Sequence, residues 1–297
     1  MNNLFDIRSQ LTQNGQKLAY QHLDGLNWKQ YTYLDILNFI DYTVFYFINS
    51  KILNKKVLNL ATTSLENTII SFCFAATKCE QEFRDFQEEI RINDIETYDV
   101  IIIDKIDEDI ANELEGKIAI SIESLKTNFI KIKNFVDFKS INKFGLLGRN
   151  KIDDEIKNKY FSQNFSDEKF IFDNMENKNF LDQFQKLINN ISEVEFSIVF
   201  YQKKDLMSFK ICPFLIKYKR KFINFLDWEI FQNNINETLP SNLFIDSDNL
   251  QKAIDLSINN NKIKFFNKNL KRIITSGMID GDYKKRLNNL KIDLINF

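Results

Sequence analysis

The chain reads as an α/β protein built on parallel-rich sheets flanked by helices, and three observations predict this. Val100-Ile101-Ile102-Ile103 is an unbroken run of four apolar β-formers between Asp99 and Asp104. Such runs suit strands covered on both faces, as in parallel sheets. Segments of helical periodicity alternate with short apolar runs along the sequence, a pattern of βα units rather than of a bundle or sandwich. The 297 residues, 44% of them hydrophobic, are enough to bury a sizeable core.

The first helix follows Thr32, which with Asp35 three residues later forms a shortened capping box. Tyr33, Ile36, Leu37, Ile40, Val44, Phe47 and Ile48 then recur at helical spacing and make one apolar face. Val57 to Ala61 suits a buried strand. Ser64 is placed to cap a second helix in which Leu65, Ile69, Phe72, Cys73 and Ala76 share a face. After the Val100 strand, Asp107 to Leu114 has a helical pattern and Lys117 to Ser121 that of a strand. No period stands out from Leu125 to Phe170. Gly145 and Gly148 lie there, and this stretch is the expected junction between an α/β subdomain at 1–125 and a second at 126–297, both parts of one lobe. Phe180, Phe184, Leu187 and Ile191 then mark a helix and Phe196 to Tyr201 a strand. Leu226 to Ile235 and Leu250 to Ile258 read as helices. The closing unit is a strand from Asn269 turning at Gly277, a short amphipathic helix from Gly281 to Leu290, and a strand from Ile292 to Phe297.

Charge is balanced, 40 basic against 41 acidic residues, which excludes a dedicated nucleic-acid binder with its concentrated basic surface. Cys73, Cys79 and Cys212 are odd in number and irregular in spacing, so they form no disulfide framework and fit a reducing cytosol. Cys73 and Cys79 read as core cysteines. The N-terminus lacks a basic stretch followed by an apolar one, so no signal peptide is expected. The apolar stretch Leu34 to Ile48 is broken by Asp35, Asn38 and Asp41, which excludes it as a membrane span. The expected location is cytoplasmic. His22 is the sole histidine, and with no nucleophile elbow near it, it reads as a surface or packing residue. No cluster has metal-ligand spacing. The apolar run ending in Asp104 is shaped like a Mg²⁺-holding strand, but the chain contains no G-x-x-x-x-G-K-[ST] loop. Asp104 and Asp107 therefore read as the end of a strand and the start of a helix.

Three stretches, in order, resemble the adenylate-forming enzymes (acyl-CoA synthetases, luciferases and peptide-synthetase adenylation domains). Leu26 to Asp35 (LNWKQYTYLD) is similar to that family's entry into its first long helix. Lys56 to Glu66 (KVLNLATTSLE) resembles its strand, polar turn and helix, and Ala75-Ala76-Thr77-Lys78-Cys79 stands where the family has "A-x-x-x-G-A". Asn269 to Gly277 (NLKRIITSG) resembles "LR-x-I-x-S-G-G". The resemblance implies the family's N-terminal lobe, with Thr275, Ser276 and Gly277 as a nucleotide-contacting turn, although Met278 replaces the second glycine. It implies ATP or AMP as the cofactor.

Two departures weigh against that chemistry. The family cradles ATP phosphates in a Gly- and hydroxyl-rich loop after a strand, because backbone N–H groups approach phosphate only where side chains are out of the way. Here Gln202 to Lys210 (QKKDLMSFK) follows the strand, with no glycine and only Ser208 bearing a hydroxyl. Lys210 stands in for the loop lysine, yet the cradle is absent. The Tyr-Gly-x-Thr-Glu motif and the lid lysine would lie beyond Phe297. Lys217, Lys219, Arg220 and Lys221 form the densest basic cluster, fit to grip a phosphate of coenzyme A or of a carrier protein, or an acidic partner surface. No catalytic residue is assigned. The expected function is a degenerate, non-catalytic member that binds a ligand or serves as accessory subunit to a carrier protein or acyl-activating enzyme. The alternatives are half of a split carboxylate–AMP ligase and an unrelated α/β binding or scaffold domain.

Overall fold

The computed structural model describes residues 4–13, 15–24, 27–62, 64–84, 95–106, 111–112, 114, 116–125, 134–162, 178–192, 194–201, 211, 215, 220–225, 227–259, 266 and 268–296. Helix α1 (Leu4–Gln13) leads into strands β1 (Leu18–Asp24) and β2 (Asn27–Thr32), then helix α2 (Tyr33–Asn49). Strand β3 (Lys56–Asn59), helix α3 (Leu65–Ala76) and strands β4 (Glu80–Phe83), β5 (Val100–Ile103), β6 (Ile118–Ser121) and β7 (Phe135–Asp137) follow. Next come helices α4 (Phe138–Gly148), α5 (Asp154–Phe161) and α6 (Lys178–Asn190), and strands β8 (Phe196–Phe200) and β9 (Lys221–Phe225). Helix α7 (Trp228–Thr238), strand β10 (Asn242–Ile245), helix α8 (Ser247–Asn259), strand β11 (Arg272–Thr275), helix α9 (Gly281–Asn289) and strand β12 (Asp293–Asn296) complete the order. The architecture is the expected α/β one, with parallel sheets flanked by helices.

The chain forms two compact units, and neither is continuous. The first takes Met1–Gln16 and Tyr33–Lys178, the second Lys17–Thr32 and Asn179–Phe297. The expected junction near residue 125 is thus internal to the first unit.

In the first unit a five-stranded, wholly parallel sheet has the order β4-β3-β5-β6-β7. Its central strand β5 is buried along its whole length, which explains the unbroken apolar run. Leu58, Ile101, Ile103 and Ala119 of alternate positions build one core with Ile95, Tyr98, Ile106 and Leu125. Val57, Val100, Ile102 and Ile120 point to the opposite face and are buried as well. Helix α3 is capped by Ser64, whose hydroxyl accepts from the Asn67 N–H at 3.1 Å. Every residue of α3 except Glu66 is buried, so it has two covered sides where its sequence showed one stripe.

The segment without sequence period holds two capped helices. The Asp137 carboxylate accepts from the Ser140 N–H at 2.6 Å to start α4, and Asp153 accepts from the Ile156 N–H at 2.8 Å to start α5. Gly145 and Gly148 are not a linker: both lie inside α4. A Cβ on Gly145 would sit 1.8 Å from the Tyr42 carbonyl oxygen of α2, so glycine lets two helix backbones cross in contact. Helix α1 is tied to α2 by Arg8, whose guanidinium donates to the Asp41 carboxylate.

The second unit is a seven-stranded sheet of order β12-β11-β10-β8-β9-β1-β2. All neighbours run parallel except the β1–β2 hairpin. Its core combines Ile198, Phe200, Ile223, Phe225, Leu243 and Ile273 with Phe231 and Ile235 of α7 and Leu250 and Ile254 of α8. Phe200 and Phe231 stack with centroids 4.6 Å apart and planes 2° from parallel.

Candidate functional site

Strand order singles out one edge of the seven-stranded sheet. From β8 the chain moves to β9 on one side and then returns to β10 on the other. Connections that leave in opposite directions open a crevice beyond the carboxyl ends of the strands, the usual ligand position in open α/β sheets.

The residues that follow β8, β10 and β11 meet this edge. Tyr201, directly after β8, shares a hydrogen bond between its phenol and the Ser276 hydroxyl, which follows β11. Because β10 lies between β8 and β11, this bond bridges over the end of the middle strand. Beyond β10, Asp246 caps α8. Its carboxylate accepts from the Asn249 N–H at 3.0 Å and from the Asn249 side chain at 2.9 Å, which places an acid at the positive helix end. Ser247 is buried, with its hydroxyl 3.3 Å from the Asp248 carboxylate.

Gly277 completes the turn. Its φ is +91°, and a Cβ there would lie 2.7 Å from the Ser247 hydroxyl. Glycine is required twice, once by the backbone and once by the neighbour. Gln251 steadies the turn from α8, donating to the Met278 carbonyl at 3.5 Å. The Met278 side chain is 93% exposed. The turns carry the hydroxyls of Tyr201, Ser247 and Ser276 and the carboxylates of Asp246 and Asp248; hydroxyls hydrogen-bond sugars and phosphates alike, and only the carboxylates disfavour a polyphosphate.

Thr275, Ser276 and Gly277 thus lie at this edge, and Thr275 is fully buried. Lys210, Lys217 and Lys219 lie outside the described residues. Arg220 is buried, and its guanidinium donates to the Ile188 carbonyl at 3.2 Å and the Asn189 carbonyl at 3.3 Å, a cation on the last turn of α6. Lys221 beside it is exposed at the start of β9. Tyr201 and Asp246 were missed from sequence. Only the strand order brings them to the site, although Asp246 three residues before Asn249 has the form of a helix cap.

The opposite edge carries a clasp that no sequence motif announces. Glu195 accepts from Lys271 at 2.7 Å and from Arg272 at 2.9 Å, and Arg272 also donates to Asn242 at 3.0 Å. Burial alone would raise the Glu195 pKa. The Lys271 and Arg272 hydrogen bonds, the Arg272 charge and the Ser192 N–H overcome it and hold the group at about 2. Charge and hydrogen bonds thus join the amino ends of β8, β10 and β11.

The five-stranded sheet has its own reversal, between β3 and β5, where polar side chains bond one another. Asn59 donates to Asn67 at 2.7 Å, Asn67 donates to the Thr62 carbonyl at 3.0 Å, and the Thr62 hydroxyl donates to Asp104 at 2.8 Å. Asp104 ends β5, as its position after the apolar run predicts. Among the described residues no group of three or more His, Cys, Asp or Glu could hold a metal ion. No described helix is long and apolar enough to cross a membrane.

No family model and no curated protein matches the sequence. Solved structures match it throughout. The luciferase-like enzyme of the nonluminescent mealworm Zophobas morio shares 12% identity over 99% of this chain and 71% of its own, with a TM-score of 0.64. Acetoacetyl-CoA synthetase of Streptomyces lividans shares 8% over all of this chain and 51% of its own, at 0.68. The Klebsiella oxytoca NpsA N-terminal subdomain, in complex with 3-hydroxybenzoyl-AMSN, shares 9% over all of this chain and 72% of its own, at 0.66. The chain has the fold of the N-terminal lobe of adenylate-forming enzymes, and it spans about half the length of the synthetase.

Proposed function

We propose that this chain is a degenerate adenylate-forming-type protein of the cytoplasm that binds a ligand at the carboxyl edge of its seven-stranded sheet and assists acyl activation or transfer without itself adenylating. The observation that carries this reading is the segment after β8. Adenylation stabilises a pentacovalent phosphorus and a leaving pyrophosphate through positioned N–H donors and positive charge. Gln202 to Lys210 has no glycine to admit a phosphate to the backbone, and the neighbouring turns offer hydroxyls and carboxylates. In this reading the Thr275-Ser276-Gly277 turn retains its contact with the neutral part of a nucleotide or acyl ligand, while Lys210 and the Lys217–Lys221 cluster meet an anionic partner. A carrier protein is the partner class favoured by analogy, since NpsA of Klebsiella oxytoca has been fused artificially into an adenylation–PCP di-domain.

The test is ATP–pyrophosphate exchange with a panel of carboxylates, alongside calorimetry with ATP, AMP and coenzyme A. No exchange is expected, with AMP or coenzyme A bound more tightly than ATP. Sustained exchange by the purified chain would overturn the reading. A second reading, half of a split carboxylate–AMP ligase, is favoured by the chain spanning 51% of acetoacetyl-CoA synthetase. It requires a second chain with the Tyr-Gly-x-Thr-Glu motif and lid lysine, whose addition would start exchange.

A further inference from the structure

A groove of about 490 Å³ lies on the second unit, between the β1–β2 hairpin and the last turn of α7, within the size range of small-molecule sites. Its floor is apolar: Leu18 of β1, Phe196 of β8 and Ile223 of β9. Trp28 of β2 forms one end and is 41% exposed. The indole is fixed rather than free, because Phe225 packs against it in a T-shaped contact with centroids 6.1 Å apart.

Around this floor stand polar groups from two elements. Gln21 and Gln30 are register partners across the hairpin, and Asn234 and Glu237 face them from α7. The Asn234 amide donates to the Ile230 carbonyl at 2.8 Å, which leaves its carbonyl oxygen as an acceptor. Gln21, Gln30 and Glu237 make no side-chain hydrogen bond to any described residue. Carboxamides offer donors and acceptors together, and the carboxylate adds acceptors.

The chemistry narrows the ligand. Among the described residues no Lys, Arg or His lines the groove, so none of them compensates a phosphate or carboxylate, and Glu237 would repel one. Recognition of an ammonium rests on an aromatic cage, whereas among the described lining residues only Trp28 and Phe196 are aromatic, beside aliphatic Leu18 and Ile223. A pyranose matches both features: its C–H face lies on the indole and aliphatic side chains, and its hydroxyls meet the amides and Glu237. We propose that this groove binds a neutral saccharide of one or two rings, at a site sharing no residue with the carboxyl-edge crevice and independent of the acyl-transfer reading.

The chain has two tryptophans, so protein labelled with 5-fluorotryptophan gives two ¹⁹F resonances. Trp28→Phe assigns them, and Trp228→Phe gives the same assignment by difference. The labelled full chain is titrated with methyl glucoside, methyl mannoside, N-acetylglucosamine and maltose to about 100 mM, the range of weak small-ligand binding. At least one sugar should shift the Trp28 resonance saturably and leave Trp228 in place. Gln30→Ala and Glu237→Ala, both exposed and checked by circular dichroism, should each weaken that binding about fivefold, the worth of one hydrogen bond. Silence for every sugar would overturn the proposal. So would a shift unchanged by both variants, or a Trp28 response to choline or AMP where no sugar gives one.

Discussion

At Gly277 a positive φ coincides with a Ser247 hydroxyl 2.7 Å from where a side chain would begin. Gly277→Ala should therefore cost about 1–3 kcal/mol in urea unfolding. Adding Ser247→Ala should return the steric part and leave the backbone part, so the two changes should be non-additive. A fully additive pair would show that the hydroxyl is not the obstacle. Glu195 makes a prediction about pH. Its folded pKa of about 2 lies below the 4.5 of the free group, so the unfolded chain binds the proton first. The clasp's stabilisation is therefore complete above pH 4.5 and lost as pH falls towards 2. Glu195→Gln should lower the melting temperature at neutral pH and flatten the decline between those limits. At this scale the sequence was legible where chemistry is local. Ser276-Gly277 after an apolar run is a turn signal in any fold. Arg220 was not legible, because its acceptors are the carbonyls of Ile188 and Asn189, remote in sequence, and a basic run does not say which of its side chains turns inward.

Helix α4 shows what glycines do inside an element. At Gly145 the obstacle to a Cβ is the Tyr42 backbone, at 1.8 Å, whereas at Gly148 it is the end of the Asn49 side chain, at 2.5 Å. Backbone cannot step aside and a side-chain amide can. Gly145→Ala should thus destabilise by about 1–3 kcal/mol through overpacking. Gly148→Ala should stay within about 1 kcal/mol of the parent, since the gain in helix propensity offsets the displaced Asn49. Equal losses at both sites, measured by chemical unfolding, would contradict this account of the α2–α4 crossing. The same glycines explain why α4 was read as a junction: propensity speaks against them in a helix, and only the tertiary contact with α2 requires them. Helices α2 and α3 and strands β5 and β8 were legible because each carries an apolar stripe or run long enough to show its period. The hairpin β1–β2, the edge strand β4 (EQEF) and strand β9, which begins within the basic run, were not. The edge strands β2 and β4 lack the apolar runs that mark buried ones, whereas β9 is internal and buried past Lys221 but has its apolar run broken by Asn224.

Across the whole molecule, the seven-stranded sheet takes two of its strands, β1 and β2, from the far side of the five-stranded sheet in sequence. Strand β1 lies parallel to β9, with Tyr20 opposite Phe222 and their rings 5.1 Å apart. A fragment of residues 179–297 would therefore expose the β9 edge and Phe222 together, a combination that favours edge-to-edge association. It should give a poorly dispersed amide spectrum and aggregate. Joining residues 17–32 to it through a flexible linker should restore a dispersed monomer, and an unaided fragment that folds equally well would refute the dependence. The fold class and the closing strand–turn–helix–strand were legible from sequence. The division near residue 125 was read from a lapse in periodicity, a signal that cannot reveal units interleaved as 1–16 with 33–178 and 17–32 with 179–297. That interleaving also bears on descent. A single recombination crossover can replace neither unit intact, because any exchange point between β1 and β12 leaves the seven-stranded sheet with strands of mixed parentage. Such a lobe is inherited as a block, and its strand pairings can outlast the loss of almost every recognisable residue.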